Sequence, residues 1–292
     1  MKKISVLLPV YNSEKTVEKC LSSILFSSHS NFELVLVNDG SNDSSKDIIY
    51  SFKDERIKYF EKTNSGLIDS LNFGVKNCSS EIIMRIDADD YIKPEKIALQ
   101  LKELKSSNSV LIGTNAYIVN NDEKTVGETN LPLKHLEIVK SMIKMRPSLI
   151  HPSIMVYKDI LNKVDYFDEK YHHAEDYDIF FRISKLGDIR NIPEKLMYLR
   201  KSESNISHKN AKKQIVNSFI SRENYLVNNS SGKTTNENFY LLGQKIKNSF
   251  FKSFYIKIHT KIVHLEFNQS QSNSYNKLIM LKILRRFFNL FI

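Results

Sequence analysis

The chain has 292 residues, 41% of them hydrophobic and 26% charged, with a formal net charge of +10; these proportions suit one large globular domain, or one domain plus an appendage. Cys20 and Cys78 are its only cysteines and form no Cys-x-x-Cys pair, which argues for a reduced compartment and against a thiolate metal site. No uncharged apolar run approaches the ~18 residues of a membrane span, and the charge is split: residues 1–200 hold 28 Lys and Arg against 29 Asp and Glu, residues 201–292 hold 15 against 4, so two parts with different partners are expected.

Met1-Lys2-Lys3 leads directly into Ile4 to Val10, too short for a signal-peptide core and apolar enough for a strand, closed by Pro9-Val10-Tyr11-Asn12. After Ser13-Glu14, the recurrence of Val17, Cys20, Leu21, Ile24 and Leu25 at three and four predicts a helix. Phe32 to Val37 reads as a second strand, ending in the turn-rich Asn38-Asp39-Gly40-Ser41-Asn42-Asp43. Asp47 to Tyr50 is a short helix, Ile57 to Phe60 a third strand, and Asn64-Ser65-Gly66 opens a helix through Leu67, Leu71, Phe73 and Val75. Ile82-Ile83-Met84-Arg85-Ile86 has the length and β-branched content of a buried strand, and three carboxylates, Asp87, Asp89 and Asp90, stand where it stops. Lys93-Pro94-Glu95 then opens a helix to about Lys105. Strands alternating with helices predict a mostly parallel sheet covered on both faces. Further on, Val110 to Ile112 and Tyr117 to Val119 read as strands, Asn120 to Glu123 as a hairpin-like turn, and residues 124–146 show no periodicity that places them. His151-Pro152-Ser153 precedes the strand Ile154 to Val156, and Glu175-Asp176-Tyr177-Asp178 opens a helix with Ile179, Phe180, Ile183 and Leu186 at helical spacing.

Two strand ends thus carry carboxylates, Asp39 and the Asp87 cluster, at the edge where open α/β sheets bind ligands. Three adjacent acids repel one another unless something positive joins them. A hard divalent cation, Mg²⁺ or Mn²⁺, suits carboxylates plus substrate phosphates, whereas an acidic solvated turn is the reading that needs no ligand. No Gly-x-Gly-x-x-Gly follows the first strand and no Gly-x-x-x-x-Gly-Lys-Ser/Thr occurs, so a metal would have to handle a diphosphate. That combination points away from dehydrogenases and ATPases and toward nucleotide-sugar chemistry.

Pro9-Val10-Tyr11-Asn12, Val37 to Asp43, Asn64-Ser65-Gly66 with Leu71-Asn72, Arg85-Ile86-Asp87-Ala88-Asp89-Asp90 and Glu175-Asp176 resemble, in that order, the motifs of a family 2 glycosyltransferase of the GT-A fold. The resemblance spans residues 4–207. It implies an α/β domain, residues 1–208, with a mostly parallel central sheet flanked by helices. It implies nucleotide-sugar contacts at Pro9, Val10, Tyr11, Asn12, Glu14, Asp39, Asn64, Gly66, Arg85, Asp87 and Ala88. The metal would fall to Asp87 and Asp89, or to Asp89 with Asp87 on the ribose, and Asp90 could replace either. Asp176 would be the general base, with Glu175 positioning the acceptor or the loop; both residues also favour a helix dipole where they stand. The implied reaction is a single inverting displacement on a nucleoside-diphosphate sugar, a UDP-sugar first, by a hydroxyl of a glycan or lipid-linked acceptor. One departure is Ser202, in Tyr198-Leu199-Arg200-Lys201-Ser202, where the family commonly has a histidine; Arg200, Lys201 or His208 could compensate. His151 either lines the acceptor cleft or is bonded within its loop.

Residues 209–292 read as a basic, amphipathic helical tail. Large apolar residues from Phe250 to Leu265 alternate with lysines, and the last helix, Leu278 to Ile292, carries Lys282, Arg285, Arg286 and Asn289 as one polar stripe. Such a helix fits an anionic membrane surface, packing on the catalytic domain, or homo-oligomerisation. Its aromatics and leucines argue against nucleic acid as partner. The expected location is the cytoplasm, on the inner face of the cell membrane where the tail engages it. A sugar nucleotidyltransferase, or a non-catalytic binding protein with a basic tail, are the alternatives.

Overall fold

The computed structural model describes residues 3–201 and 211–229, the side chains of the latter segment over 213–226. The elements are β1 (Ile4–Val10), α1 (Val17–Leu25), β2 (Phe32–Asn38), α2 (Ser45–Ser51), β3 (Ile57–Glu61), α3 (Leu67–Asn77), β4 (Ile82–Arg85), β5 (Tyr91–Ile92), α4 (Lys96–Ser106), β6 (Leu111–Val119), β7 (Thr125–Glu128), α5 (His135–Ile143), β8 (Met155–Tyr157), α6 (Lys158–Lys163), α7 (Glu175–Ile183), β9 (Ile189–Arg200) and α8 (Ala211–Asn229). One sheet runs in the order β3-β2-β1-β4-β8-β6-β9-β5, with β7 on β6. Its first four strands are mutually parallel, as the alternating pattern predicts. Beyond them β8 is antiparallel to both β4 and β6, and β9 is parallel to β6. Two reversals restore the direction, so β1, β2, β4, β6 and β9 all end on one edge of the sheet.

Within the parallel half β1, β2 and β4 are buried throughout because helices cover both faces, while the edge strand β3 is half-buried to exposed. Successive side chains alternate between two cores. Ile4, Val6 and Leu8 meet Val17, Leu21 and Ile24 of α1 and Ile97 and Leu101 of α4. Leu7, Val35 and Val37 meet Leu71 and Val75 of α3, with α5 and α7 extending the same layer through Met142 and Phe181.

One expectation needs correction, and one unplaced stretch takes its place. The separate strands predicted at Val110 to Ile112 and Tyr117 to Val119 are one strand, β6, running through Gly113-Thr114-Asn115. Thr114 and Asn115, which break the sequence pattern, are both buried; Asn115 Oδ1 accepts from Thr129 Oγ1 and Leu131 N, each at 2.9 Å, whereas Thr114 Oγ1 has no partner among the described residues. Residues 124–146, unplaced in the sequence, form β7 and α5, the latter burying Ile138, Val139 and Met142.

Glu33, on β2, is 2% exposed. Burial alone would raise its pKa, but hydrogen bonds from Lys58, Ser5 and Ser79 outweigh it and hold the carboxyl at about 2, against an ordinary 4.5. Because the folded-state pKa is depressed, the stabilisation is complete above pH 4.5 and is lost as pH falls toward 2. Glu33→Gln is therefore expected to cost roughly 2–3 kcal/mol at pH 7, at 1.36 kcal/mol per unit less some screening at the exposed lysine. Denaturant midpoints measured from pH 7 downward check this: the gap between the two chains should close below pH 4.5. A gap independent of pH would show that packing rather than charge sets the loss.

Candidate active site

The shared edge of the sheet gathers the predicted residues. At the end of β1, Val10 O accepts from Asp39 N at 2.8 Å, tying the two loops that follow β1 and β2. Asn12, at φ 48°, receives Asn42 N on Oδ1 at 2.9 Å and donates its own N–H to Ser41 Oγ at 3.0 Å. Glu14 N donates to Asp43 Oδ2 and Glu14 Oε2 accepts from Ser44 N, both at 3.0 Å. Tyr11 is left 48% exposed on the outer side of this double loop.

Asp39 is buried and fixes the start of α3. Oδ1 accepts from Lys62 Nζ at 2.5 Å and Ser65 N at 3.0 Å, Oδ2 from Gly66 N at 2.9 Å, and Asn64 Nδ2 donates to its backbone carbonyl at 3.0 Å. A carboxylate offers about four acceptor positions, so capacity remains on Oδ2. Two glycines permit the geometry. Gly40 sits at φ 68°, where a Cβ would stand 2.8 Å from Asn64 N, and Gly66 sits at φ 95° immediately before α3. Lys62 carries no local sequence signal for its contact with Asp39, which lies 23 positions away.

β4 delivers Asp87, Asp89 and Asp90, whose ligand atoms lie within 4.8 Å of one another. Burial, then the Asp87 charge, lifts Asp89 to about 6. Burial, then Asp89 and Asp87, raises Asp90 well above the carboxylate range. Asp90 Oδ1 accepts from Arg200 N at 2.9 Å, while its buried Oδ2 has no partner among the described residues. Arg200 Nε also donates to Asp89 O at 3.1 Å, and Nη2 pairs with Glu123 at 3.3 Å. Three crowded oxygen donors, one of them an orphaned buried atom, with too little positive charge to balance them, fit a hard divalent cation.

Arg85 is 3% exposed and pairs with Asp87 Oδ1. Its Nε and Nη1 have no partner among the described residues. Its charge lowers the pKa of Asp89 and Asp90 and also of Glu175 and Asp176. The two acidic clusters, some 90 residues apart in sequence, therefore share one guanidinium. Glu175 is buried in the first turn of α7; burial, then Asp176, moves its pKa up to about 7, with Asp87 adding to the rise. Burial raises Asp176 as well, against the Tyr177 N–H that donates to Oδ1 at 2.7 Å. Asp178 turns away to Arg182, at 2.6 Å.

The His151 ring is buried between Phe167 and Phe180, with centroids at 5.4 and 5.9 Å. Burial, then Arg85, keeps it neutral by lowering its pKa well below the ordinary value. Its Nε2 is buried and has no hydrogen-bond partner among the described residues. Ser202 and His208 lie outside the described residues, as does the tail beyond residue 229.

The sequence model described as glycosyl transferase family 2 matches residues 5–169. An uncharacterized glycosyltransferase of Haemophilus influenzae is 31% identical over 211 residues, 68% of this chain and 65% of that protein. Relatives from Rickettsia bellii and Rickettsia felis are covered over only 33% and 32% of their length, and across these curated relatives the share runs from 18% to 65%, less than two thirds in every case. Among solved structures, residues 1–349 of TarS from S. aureus superpose with a TM-score of 0.63 at 20% identity, over 92% of this chain and 80% of that one; TarS has also been solved with UDP and with UDP-GlcNAc. The mannosyltransferase PcManGT of Pyrobaculum calidifontis, in complex with GDP-Man and Mn²⁺, gives a TM-score of 0.61 at 14% identity, over 99% and 84% of the two chains. At these identities the structural likeness is one of fold.

Proposed function

Because the chain belongs to glycosyl transferase family 2, we propose that it transfers a sugar, with inversion, from a nucleoside-diphosphate donor to a hydroxyl of a glycan or lipid-linked acceptor. The observation that carries the reading is the convergence of Asp87, Asp89 and Asp90 with Glu175 and Asp176 around Arg85. The loops after β1 and β2, with Pro9 to Asn12, Glu14, Asp39, Asn64 and Gly66, would hold the nucleoside. Asp87 and Asp89 would hold a divalent cation, Mn²⁺ or Mg²⁺, which when bound neutralises the diphosphate. Asp176 would take the proton from the acceptor hydroxyl as that oxygen attacks the anomeric carbon from the face opposite the leaving diphosphate. Glu175 would orient the acceptor or hold the loop. One displacement of this kind inverts the anomeric centre. UDP is the first expectation for the nucleotide, supported by TarS in complex with UDP-GlcNAc; PcManGT with GDP-Man makes GDP the comparison.

The test is a panel of UDP- and GDP-sugars with Mn²⁺, scored for binding and for slow donor hydrolysis. A chain that binds or hydrolyses none of them would falsify the assignment.

Of residues 209–292, α8 packs against α7, and the part beyond it is proposed to face a membrane or a second subunit. Among the described residues no helix is long and apolar enough to cross a membrane. Each basic residue near an anionic surface contributes ~1 kcal/mol. A chain ending before Leu278 is expected to keep nucleotide binding and to lose co-sedimentation with anionic vesicles, and charge reversal at Lys282, Arg285 and Arg286 should do the same at full length. High salt should weaken the parent's binding only in part, because the apolar face is not screened. If truncation instead changes the oligomer size in solution, the tail is a subunit interface.

A further inference from the structure

The segment between α6 and α7, residues 164–174, leads directly into the turn that carries Glu175 and Asp176. Three of its residues adopt left-handed backbone without being glycine: Asp165 at φ 56°, Tyr166 at 59° and His173 at 69°. Such conformations persist only where the surroundings over-determine them. The first half of the segment is held by the catalytic sheet's own helices. Asn72 of α3 donates Nδ2 to Phe167 O at 2.9 Å and accepts Phe167 N on Oδ1 at 3.0 Å, and Arg182 of α7 donates to Val164 O. The second half has its side-chain anchors elsewhere. Asn217 Nδ2 of α8 donates to His172 O at 2.8 Å, and Asn224 Nδ2 donates to Tyr171 Oη at 2.7 Å.

These two residues belong to one face of α8, where Asn217, Ser221 and Asn224 recur at four and three. Between the asparagines Ser221 Oγ donates to Asp178 Oδ1 at 3.4 Å, and beside them Tyr225 stacks on Phe181 of α7 with ring centroids 4.4 Å apart. Ile215 and Phe219 are buried beneath the helix. The family match ends at residue 169, so both the gripping helix and the residues it grips lie beyond it.

We propose that Asn217 and Asn224 are positioning residues: they clamp residues 171–174 and so set the first turn of α7, an inference that rests on the transferase reading for its effect on rate. Neither touches the reacting atoms. Their action passes through the His172 carbonyl and the Tyr171 phenol to the backbone that presents Glu175 and Asp176. Asp39, Asp87 and Asp89, in the loops after β2 and β4, are outside its reach, so nucleotide affinity and reaction rate should separate.

The experiment compares the intact 292-residue chain with the double variant Asn217→Ala, Asn224→Ala. Three quantities are measured: hydrogen exchange of amides in residues 171–176, UDP affinity with Mn²⁺, and Mn²⁺-dependent UDP-GlcNAc hydrolysis at saturating donor. The expected result is exchange at least about ten-fold faster, hydrolysis about ten-fold slower, UDP affinity unchanged and a melting temperature close to that of the parent. Asn217→Gln, Asn224→Gln keeps both donors on longer arms and should recover part of the rate. Unchanged exchange and hydrolysis in the double alanine variant would overturn the clamp. So would a joint fall of melting temperature, UDP affinity and rate, the mark of general loosening. An intact chain that hydrolyses none of the UDP- or GDP-sugars overturns the transferase reading instead, and the exchange rates alone then decide the clamp.

Discussion

Asp176→Asn lowers turnover by roughly 10²–10⁴-fold, the usual worth of a positioned acid–base group, while UDP affinity with Mn²⁺ stays near that of the parent. The substitution removes a proton acceptor and little else. Asp176 is the second residue of α7 rather than its cap, and an asparagine oxygen there can still accept the Tyr177 N–H that now meets Oδ1 at 2.7 Å. Burial raises the pKa of Asp176 as it does that of Glu175, so both are stronger bases than an exposed carboxylate, and accessibility rather than basicity favours Asp176. Asp178 is committed to Arg182, and Glu175 is the more deeply buried of the first two acids. Steady-state rates on whichever donor the panel identifies, with UDP titrated separately, provide the measurement. Retained turnover would reduce Asp176 to a helix-terminal charge and pass the candidacy to Glu175.

Asp89→Ala is expected to abolish metal-dependent UDP binding without harming the fold. The two halves of that expectation have one origin. Asp89 stands with Asp87 and Asp90 inside a 4.8 Å cluster and is pushed up to about 6 by burial and by the Asp87 charge. Without a cation the three acids repel, so deleting one should leave the melting temperature unchanged or raise it. With a cation the same deletion removes a ligand. Thermal melts with and without Mn²⁺ therefore separate the roles: the parent gains stability on adding metal and the variant does not. Full activity of the pure protein in excess chelator, with metal removal confirmed, would sink the metal assignment.

How much of this was legible in the chain divides along a physical line. The four parallel strands and their helices could be read directly, because a buried strand between two helical layers is a short apolar run and an amphipathic helix repeats at three and four, both properties of neighbouring residues. The positions of Asp39, Asp87, Asp89, Asp90, Glu175 and Asp176 at strand and helix ends follow from the same local pattern, and their order carried the resemblance to the family. Three matters waited for the tertiary structure. β6 passes through Gly113-Thr114-Asn115 because Thr129 and Leu131 meet the polar atoms of Asn115 from across a hairpin. Arg85 serves both acidic clusters, and Arg200 grips Asp89 and Asp90 from about 110 positions away. Asn217 and Asn224 read as ordinary helix-surface residues until α8 is seen lying across the segment before α7. Periodicity belongs to one stretch of chain. Which strand pairs with which, and which donor satisfies which buried or strained group, depends on contacts between stretches that periodicity leaves unspecified.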